Sequence, residues 1–263
     1  MKLLEKLRYV SDFSTKSHTR ELEKPNEDRL LVDTERNIFI ILDGVTRPHE
    51  EYRARPYHSA AAEVGDIFLK EVYEYISAHI DEPEPEDILR TAVRLANERI
   101  RVYRERKSDG EWGFFPSTLG IISFLRDGRL HYVSVGDCLA MLVRRSARIL
   151  FARELSLEAV DLINPSKAER YQKYCNRPEL PLSYTVFGGD DAVNVGTEYS
   201  FIDICEGDIL FLATDGIASY LKYEKLADLK ARSAEEIIIA SEKYDHPPFA
   251  KYGDDKTLIK ISF

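Results

Sequence analysis

The sequence predicts an α+β fold in which antiparallel sheets carry helices on their faces. Three observations predict it. Two long amphipathic helical patterns, over residues 58–80 and 86–106, follow one another directly instead of alternating with strands. Strand-like runs on both sides of that pair are joined by turns of hairpin length. The chain then closes on another strand-like stretch after short helical segments. A doubly wound parallel sheet needs a helix between successive strands, so this order disfavours it.

In chain order, "RLLVD" (29–33) and "IFIILD" (38–43) are apolar runs separated by "TERN", a hairpin spacing. In the first helix Ala61, Val64, Phe68, Val72, Tyr75, Ile76 and Ile80 recur every three or four residues and so share one face. Leu89, Val93, Ala96, Ile100 and Tyr103 do the same in the second. The Pro- and acid-rich "DEPEPED" (81–87) is predicted as the loop between them. "LGIISFL" (119–125), "RLHYVSVGD" (129–137) and "CLAMLVRR" (138–145) read as a meander. Residues 151–190 show no clear period and are predicted as a long irregular segment, a kind more often functional than accidental. "SFIDICEGDILFLATD" (200–215) returns to strands. Ser233 with Glu236 makes a capping box ahead of "IIIASEKY", which places a helix start there. "KTLIKISF" (256–263) alternates as a closing strand. No internal repeat or low-complexity tract divides the chain, and a single domain over residues 1–263 is expected.

Composition narrows the function. With 44% hydrophobic and 32% charged residues, the chain reads as an ordinary soluble globular protein. Acidic residues number 46 against 37 basic ones, a formal net charge of −9. Nucleic-acid binding usually needs a basic face, so no nucleic-acid partner is expected. Cys138, Cys175 and Cys205 are odd in number, widely spaced and form no CxxC, which fits a reducing compartment better than a disulfide framework or a zinc ribbon. The six histidines show no HxxxH spacing. The start, "MKLLEKLRYVSD", is charged throughout, and no apolar run reaches membrane-spanning length. A cytoplasmic protein without membrane attachment is the expectation.

Acids stand at the ends of the apolar runs: Asp28 in "PNEDRLL" with Glu27 beside it, Asp43 in "IFIILDGV", Asp137 in "HYVSVGDC", Asp215 in "LFLATDGI", and Asp254 or Asp255 in "YGDDKTLIKI". Taken singly, each Asp-Gly is a turn dipeptide, since Asp accepts local backbone hydrogen bonds and Gly permits positive φ. Taken together, clustered carboxylates repel one another and lose solvation, and a divalent cation resolves both costs. Oxygen ligands with no accompanying His or Cys suit Mg²⁺ or Mn²⁺. A glycine after the acid would let backbone oxygen approach such an ion.

These residues resemble the blocks of the metal-dependent serine/threonine protein phosphatases, the type 2C family. "NEDR" (26–29) is similar to the family's first acid motif, and "FIILDGV" (39–45) to its metal-bridging Asp-Gly. "STLGIISFLRDGRLHYVSVGDCLAMLVRR" (117–145) is similar to its Ser-Thr block and the strand that ends in Gly-Asp-Ser-Arg. "EGDILFLATDGI" (206–217) and "GDDKTLIKI" (253–261) resemble its two C-terminal blocks. The blocks keep their order and span nearly the whole chain. The resemblance implies two antiparallel β-sheets packed as a sandwich, flanked by helices on the outside, with a two-metal site at one end. It implies that Asp43 bridges two Mn²⁺ or Mg²⁺ ions, that Gly44 offers its carbonyl to one, and that Asp215 and Asp254 hold the other. Asp254 is preferred over Asp255 because the family's acid lies three residues before the Thr, here Thr257. Glu27 would act through metal-bound water and Asp28 through a contact one step removed, while Asp137 with Asp215 would form a weaker third-metal site. The implied reaction is hydrolysis of phosphoserine and phosphothreonine on protein substrates by a monomeric enzyme. A hydroxide shared between the cations attacks, with Asp43, Asp215 and Glu27 at the reacting centre and no phospho-enzyme.

Three departures stand out. The family's phosphate-gripping Arg has no counterpart at Leu22 or Glu23; Arg20, or Arg47 in the basic stretch after Asp43-Gly44, would take that role. "DGVTRPHEE" lacks the Gly-His-Gly found in many members, and His49 lies too far along to replace its His. Cys138 and Leu139 replace Ser and Arg of the Gly-Asp-Ser-Arg block, and Cys138 is expected to be a buried small residue. Two further readings fit parts of the pattern. One is a catalytically weak relative that serves as a binding or regulatory module. The other is a phosphatase for small phosphorylated metabolites, its pocket shaped by residues 47–58 and 155–185.

Overall fold

The structure, a computed structural model, describes residues 9–16, 25–45, 59–107, 116–152, 159, 160, 162, 163, 165, 167–177, 179–191, 193, 197–246 and 254–263. Strands pair by local register before anything else, and here every ladder is antiparallel. One sheet runs in the order β1 (Val10–Lys16), β10 (Lys256–Ser262), β9 (Ile209–Ala213), β6 (Leu139–Arg144), β7 (Ala147–Phe151). The other runs β2 (Arg29–Asp33), β3 (Ile38–Gly44), β4 (Thr118–Arg126), β5 (Arg129–Val135), β8 (Glu198–Asp203). We call them the first and second sheet.

Successive side chains on a strand point to opposite faces. In the first sheet Ala140, Leu142, Leu210, Leu212, Ile259 and Ile261 pack into the core shared with the second sheet. Their neighbours Met141, Val143, Phe211, Ala213 and Leu258 pack instead with Ile217, Tyr220, Leu229 and Ile237 of the C-terminal helical region. Both faces are therefore dry, which is why "LAMLV" and "ILFLA" read as unbroken apolar runs. Ile38 through Leu42 of β3 are all fully buried for the same reason, with helices covering the second sheet.

Those helices are α1 (Ala60–His79) and α2 (Pro85–Lys107), which pack against each other. Their predicted apolar faces are buried at Val64, Phe68, Val72 and Ile76 on α1, and at Leu89, Val93, Ala96 and Ile100 on α2. Helix α2 begins earlier than predicted, because Pro85 supplies a helical φ at its first position and Glu86 and Asp87 favour its positive end. The loop at 81–87 is correspondingly shorter. On the other side, α4 (Ala218–Tyr223), α5 (Leu226–Ala231) and α6 (Ala234–Ser241) follow in sequence. The capping box of Ser233 and Glu236 stands at the start of α6 with both hydrogen bonds formed.

Three elements have no counterpart in the sequence reading. Strand β1, "VSDFSTK", is an edge strand recruited by backbone pairing with β10 along its whole length. Strand β7 is a five-residue edge strand. Helix α3 (Lys167–Tyr174) falls inside the segment expected to be irregular; it is short and polar, so no apolar period announces it. Among the described residues no helix is long and apolar enough to cross a membrane.

Candidate metal centre

Strand direction alone gathers the acids. β3 and β5 flank β4 and so run the same way, which brings Asp43 and the turn Gly136-Asp137 to one edge of the second sheet. β2 starts at that edge, preceded by Glu27 and Asp28. In the first sheet, β9 ends where its antiparallel neighbour β10 begins, which places Asp215 beside Asp254 and Asp255. The two edges face each other across the sandwich. Carboxylate oxygens of Asp43 at the end of β3, Asp137 in the crossover between β5 and β6, and Asp215 after β9 converge to within 4.8 Å of one another.

A second layer of polar groups fixes this arrangement. Asp28 is buried, and its Oδ2 accepts hydrogen bonds from Thr214 Oγ1 and Thr257 Oγ1, both at 2.8 Å. Thr214 immediately precedes Asp215, and Thr257 follows the Asp254-Asp255 pair by two residues. The Thr257 amide donates back to Thr214 Oγ1 at 3.0 Å, and the Thr214 amide donates to the Thr257 carbonyl at 3.1 Å. With its proton committed to Asp28, Thr257 Oγ1 takes one from Thr15 Oγ1 at 2.8 Å, and Thr15 accepts from Asn26 Nδ2 at 2.8 Å. Asn26 Oδ1 closes the circuit by accepting the Asp28 amide at 2.8 Å. On the other side of the cluster, Thr118 Oγ1 donates to the Asp43 carbonyl at 2.8 Å.

Glu27 is buried beside the cluster. Its amide donates to Asp255 Oδ2 at 2.9 Å, and its Oε1 accepts from Ser59 Oγ at the start of α1. Asp255 is thus turned toward the Glu27 backbone. Asp254 lies within electrostatic range of both Asp28 and Asp43.

The glycines after the two acids are not there for a positive φ. Neither Gly44 nor Gly216 has a positive φ. A Cβ on Gly44 would fall on the Cβ of Glu27 and within 2.9 Å of its carbonyl oxygen, and one on Gly216 would fall on the Asp255 carbonyl. Each glycine lets a neighbouring acid-bearing segment lie directly against the strand end. The Asp-Gly pairs are places of close chain approach, as well as acids.

Bringing the acids together carries an electrostatic cost. Part of Asp43 reaches solvent, yet protein surrounds its carboxyl. That burial, followed by the charges of Asp215, Asp28, Asp254 and Asp137, holds the carboxyl well above the ordinary carboxylate range. Burial, then Asp255, raises Asp28 as well, against the pull of its two threonine hydrogen bonds. Burial and the same acids push the Cys138 thiol up, so it stays protonated and has the inert, buried character expected of it. An oxygen-only donor set whose acids raise one another fits a hard divalent cation.

Ser59, Thr15 and Thr214 are not among the site residues expected from the sequence, and only Thr214, next to Asp215, carries a local signal. Asp255, the alternative to Asp254 in the sequence, is the acid that binds the Glu27 amide. Arg20 and Arg47, the candidates for gripping phosphate, and His49 lie outside the described residues.

No family model and no curated relative matches the chain. Solved structures do. The serine/threonine phosphatase PstP/Ppp of Mycobacterium tuberculosis is similar with a TM-score of 0.64 at 19% identity, covering 98% of this chain and 99% of that one. The fold is that of the metal-dependent serine/threonine phosphatases. PppA of Pseudomonas aeruginosa, described as a key regulatory component of the type VI secretion system, matches at 0.64 and 16% identity over 97% of each chain. A structure of the PstP catalytic domain, in complex with two manganese ions, matches at 0.62 and 18% identity over 97% of this chain and 99% of that one.

Proposed function

We propose that the chain is a divalent-cation-dependent phosphatase that hydrolyses phosphoserine and phosphothreonine on proteins. The observation that carries this reading is the convergence of Asp43, Asp137 and Asp215 from opposed sheets to within 4.8 Å. Asp43 would be shared by two cations, with the Gly44 carbonyl offered to one and Asp215 and Asp254 holding the other. Glu27 would act through water, and Asp137 with Asp215 would hold a weaker third ion. Mn²⁺ or Mg²⁺ bound there would supply positive charge against the phosphate and an acidified water.

The chain's own residues hold that site in shape. Asp28 links the Asp215 turn to the start of β10 through two threonine hydroxyls. Gly44 and Gly216 allow the acid segments to meet. Burial pushes the Cys138 thiol up, so it is a poor nucleophile, which is consistent with attack by water. Serine/threonine specificity is supported by the named activities of structures that share the fold. The free thiols of Cys138, Cys175 and Cys205 support a cytoplasmic setting.

The test is hydrolysis of an aryl phosphate and of a panel of phosphoserine and phosphothreonine peptides, with Mn²⁺, with Mg²⁺ and with chelator, beside Asp215→Asn. Turnover that requires the cation and is lost in the variant is the expected result. Turnover unaffected by chelator or by the substitution would sink the proposal. Small phosphate esters cleaved in strong preference to every peptide would move the substrate class to metabolites.

A further inference from the structure

Ser59 performs two tasks with one hydroxyl. Its oxygen accepts the Ala62 amide at 3.2 Å, which caps α1. Its proton goes elsewhere, to Glu27 Oε1. Capping needs only the acceptor lone pair, so the bond to Glu27 is a separate interaction. Both residues are buried, Ser59 at 5% and Glu27 at 1% exposure, so water does not replace the bond easily. The Glu27 Cβ and carbonyl press against Gly44, the residue after Asp43. Its amide is tied to Asp255. The backbone of Glu27 is therefore fixed from the β10 side, and its carboxylate is held from the α1 side.

We infer that Ser59 is a positioning residue for Glu27, and that through this bond the start of α1 contributes to cation affinity at the acid cluster. The inference rests on the reading of that cluster as a cation site. Groups that orient metal ligands from behind typically change affinity by about 10–100-fold when removed. Without the Ser59 hydroxyl the carboxylate is held less firmly, and its ordering would be completed at the cost of cation affinity.

Direct Mn²⁺ binding by the full chain, measured by calorimetry and by the loss of the free-ion paramagnetic resonance signal, tests this without reference to turnover. Wild type, Ser59→Ala, Ser59→Gly, Ser59→Thr and Glu27→Gln are compared, with Ser59→Ala also built on Glu27→Gln. Glycine is nearly as good a helix cap as serine, whereas alanine is poor, so the Ala and Gly variants separate capping from positioning. The expected result is a loss of about 10-fold in Mn²⁺ affinity in both Ser59→Ala and Ser59→Gly. Ser59→Thr, which keeps the hydroxyl, restores it, and Ser59→Ala adds nothing on the Glu27→Gln background.

Affinity that falls in the Ala variant but not in the Gly variant would reduce Ser59 to a helix cap and overturn the inference. So would additive losses in the double variant, or unchanged binding in both single variants. Those outcomes leave the cation site standing. A wild-type chain that binds no Mn²⁺ overturns the site and the inference together.

Discussion

At Asp43 the folded chain surrounds a carboxyl that holds its proton more tightly than a free aspartate does. Burial is the first cause and the neighbouring acids the second. A carboxyl whose folded pKa is raised favours the fold while it is protonated, below the ordinary aspartate value near 4. That contribution is lost as pH rises from there through the raised folded value. In the absence of divalent ions, Asp43→Asn is therefore expected to be more stable than wild type at about pH 8, with the difference shrinking toward about pH 4. Thermal melts in chelator across that range check it. A variant less stable than wild type at the alkaline end would show that the carboxylate is compensated by something other than a cation. The acids themselves were readable in the sequence, because each ends an apolar run. The role of the glycines was not, because Gly44 and Gly216 are required by segments far away in the chain.

Among the elements, the start of β10 is fixed by an ion pair that no local pattern announces. Lys256 Nζ, 1% exposed, donates to Asp245 Oδ2 at 2.7 Å and to Ser241 Oγ at 2.9 Å. This pins the strand that follows Asp254 and Asp255 to the end of α6. Removing one charge of a buried pair leaves the other uncompensated, at a cost of about 3–5 kcal/mol. Asp245→Asn should lose about 3 kcal/mol in chemical unfolding. Pairing it with Lys256→Met should recover much of that, since the stranded ammonium is gone. A single-variant loss below about 1 kcal/mol would mean that the pair is solvated in practice. Elements with a two-sided or one-sided apolar face, such as β3, β6, β9, α1 and α2, were legible because burial writes its period into the sequence. β1, β7 and α3 were not, because edge strands and short polar helices are held by backbone pairing and local hydrogen bonds, which nearly any side chain permits.

For the molecule as a whole, the acids sit where the two sheets meet, so a cation bound there would act as a clasp between them. Asp43 belongs to the second sheet, Asp215 follows β9 of the first, and Asp137 lies in the crossover from β5 of the second sheet to β6 of the first. The like charges push these edges apart; a divalent ion reverses the sign of that interaction. A ligand that binds only the folded state stabilises it in proportion to the logarithm of its concentration, about 2.7 kcal/mol at one hundred times Kd. The melting temperature should therefore rise steadily with Mn²⁺. The gain should be larger at neutral pH than in mild acid, where protons compete for the raised carboxyls. Asp215→Asn, which removes one of the first sheet's charges from the clasp, should lose most of the gain. Hydrogen exchange should slow on Mn²⁺ addition at the adjoining ends of β3, β5 and β9 together, one end from each side of the sandwich. Protection confined to a single sheet would place the cation on one edge alone and remove the clasp.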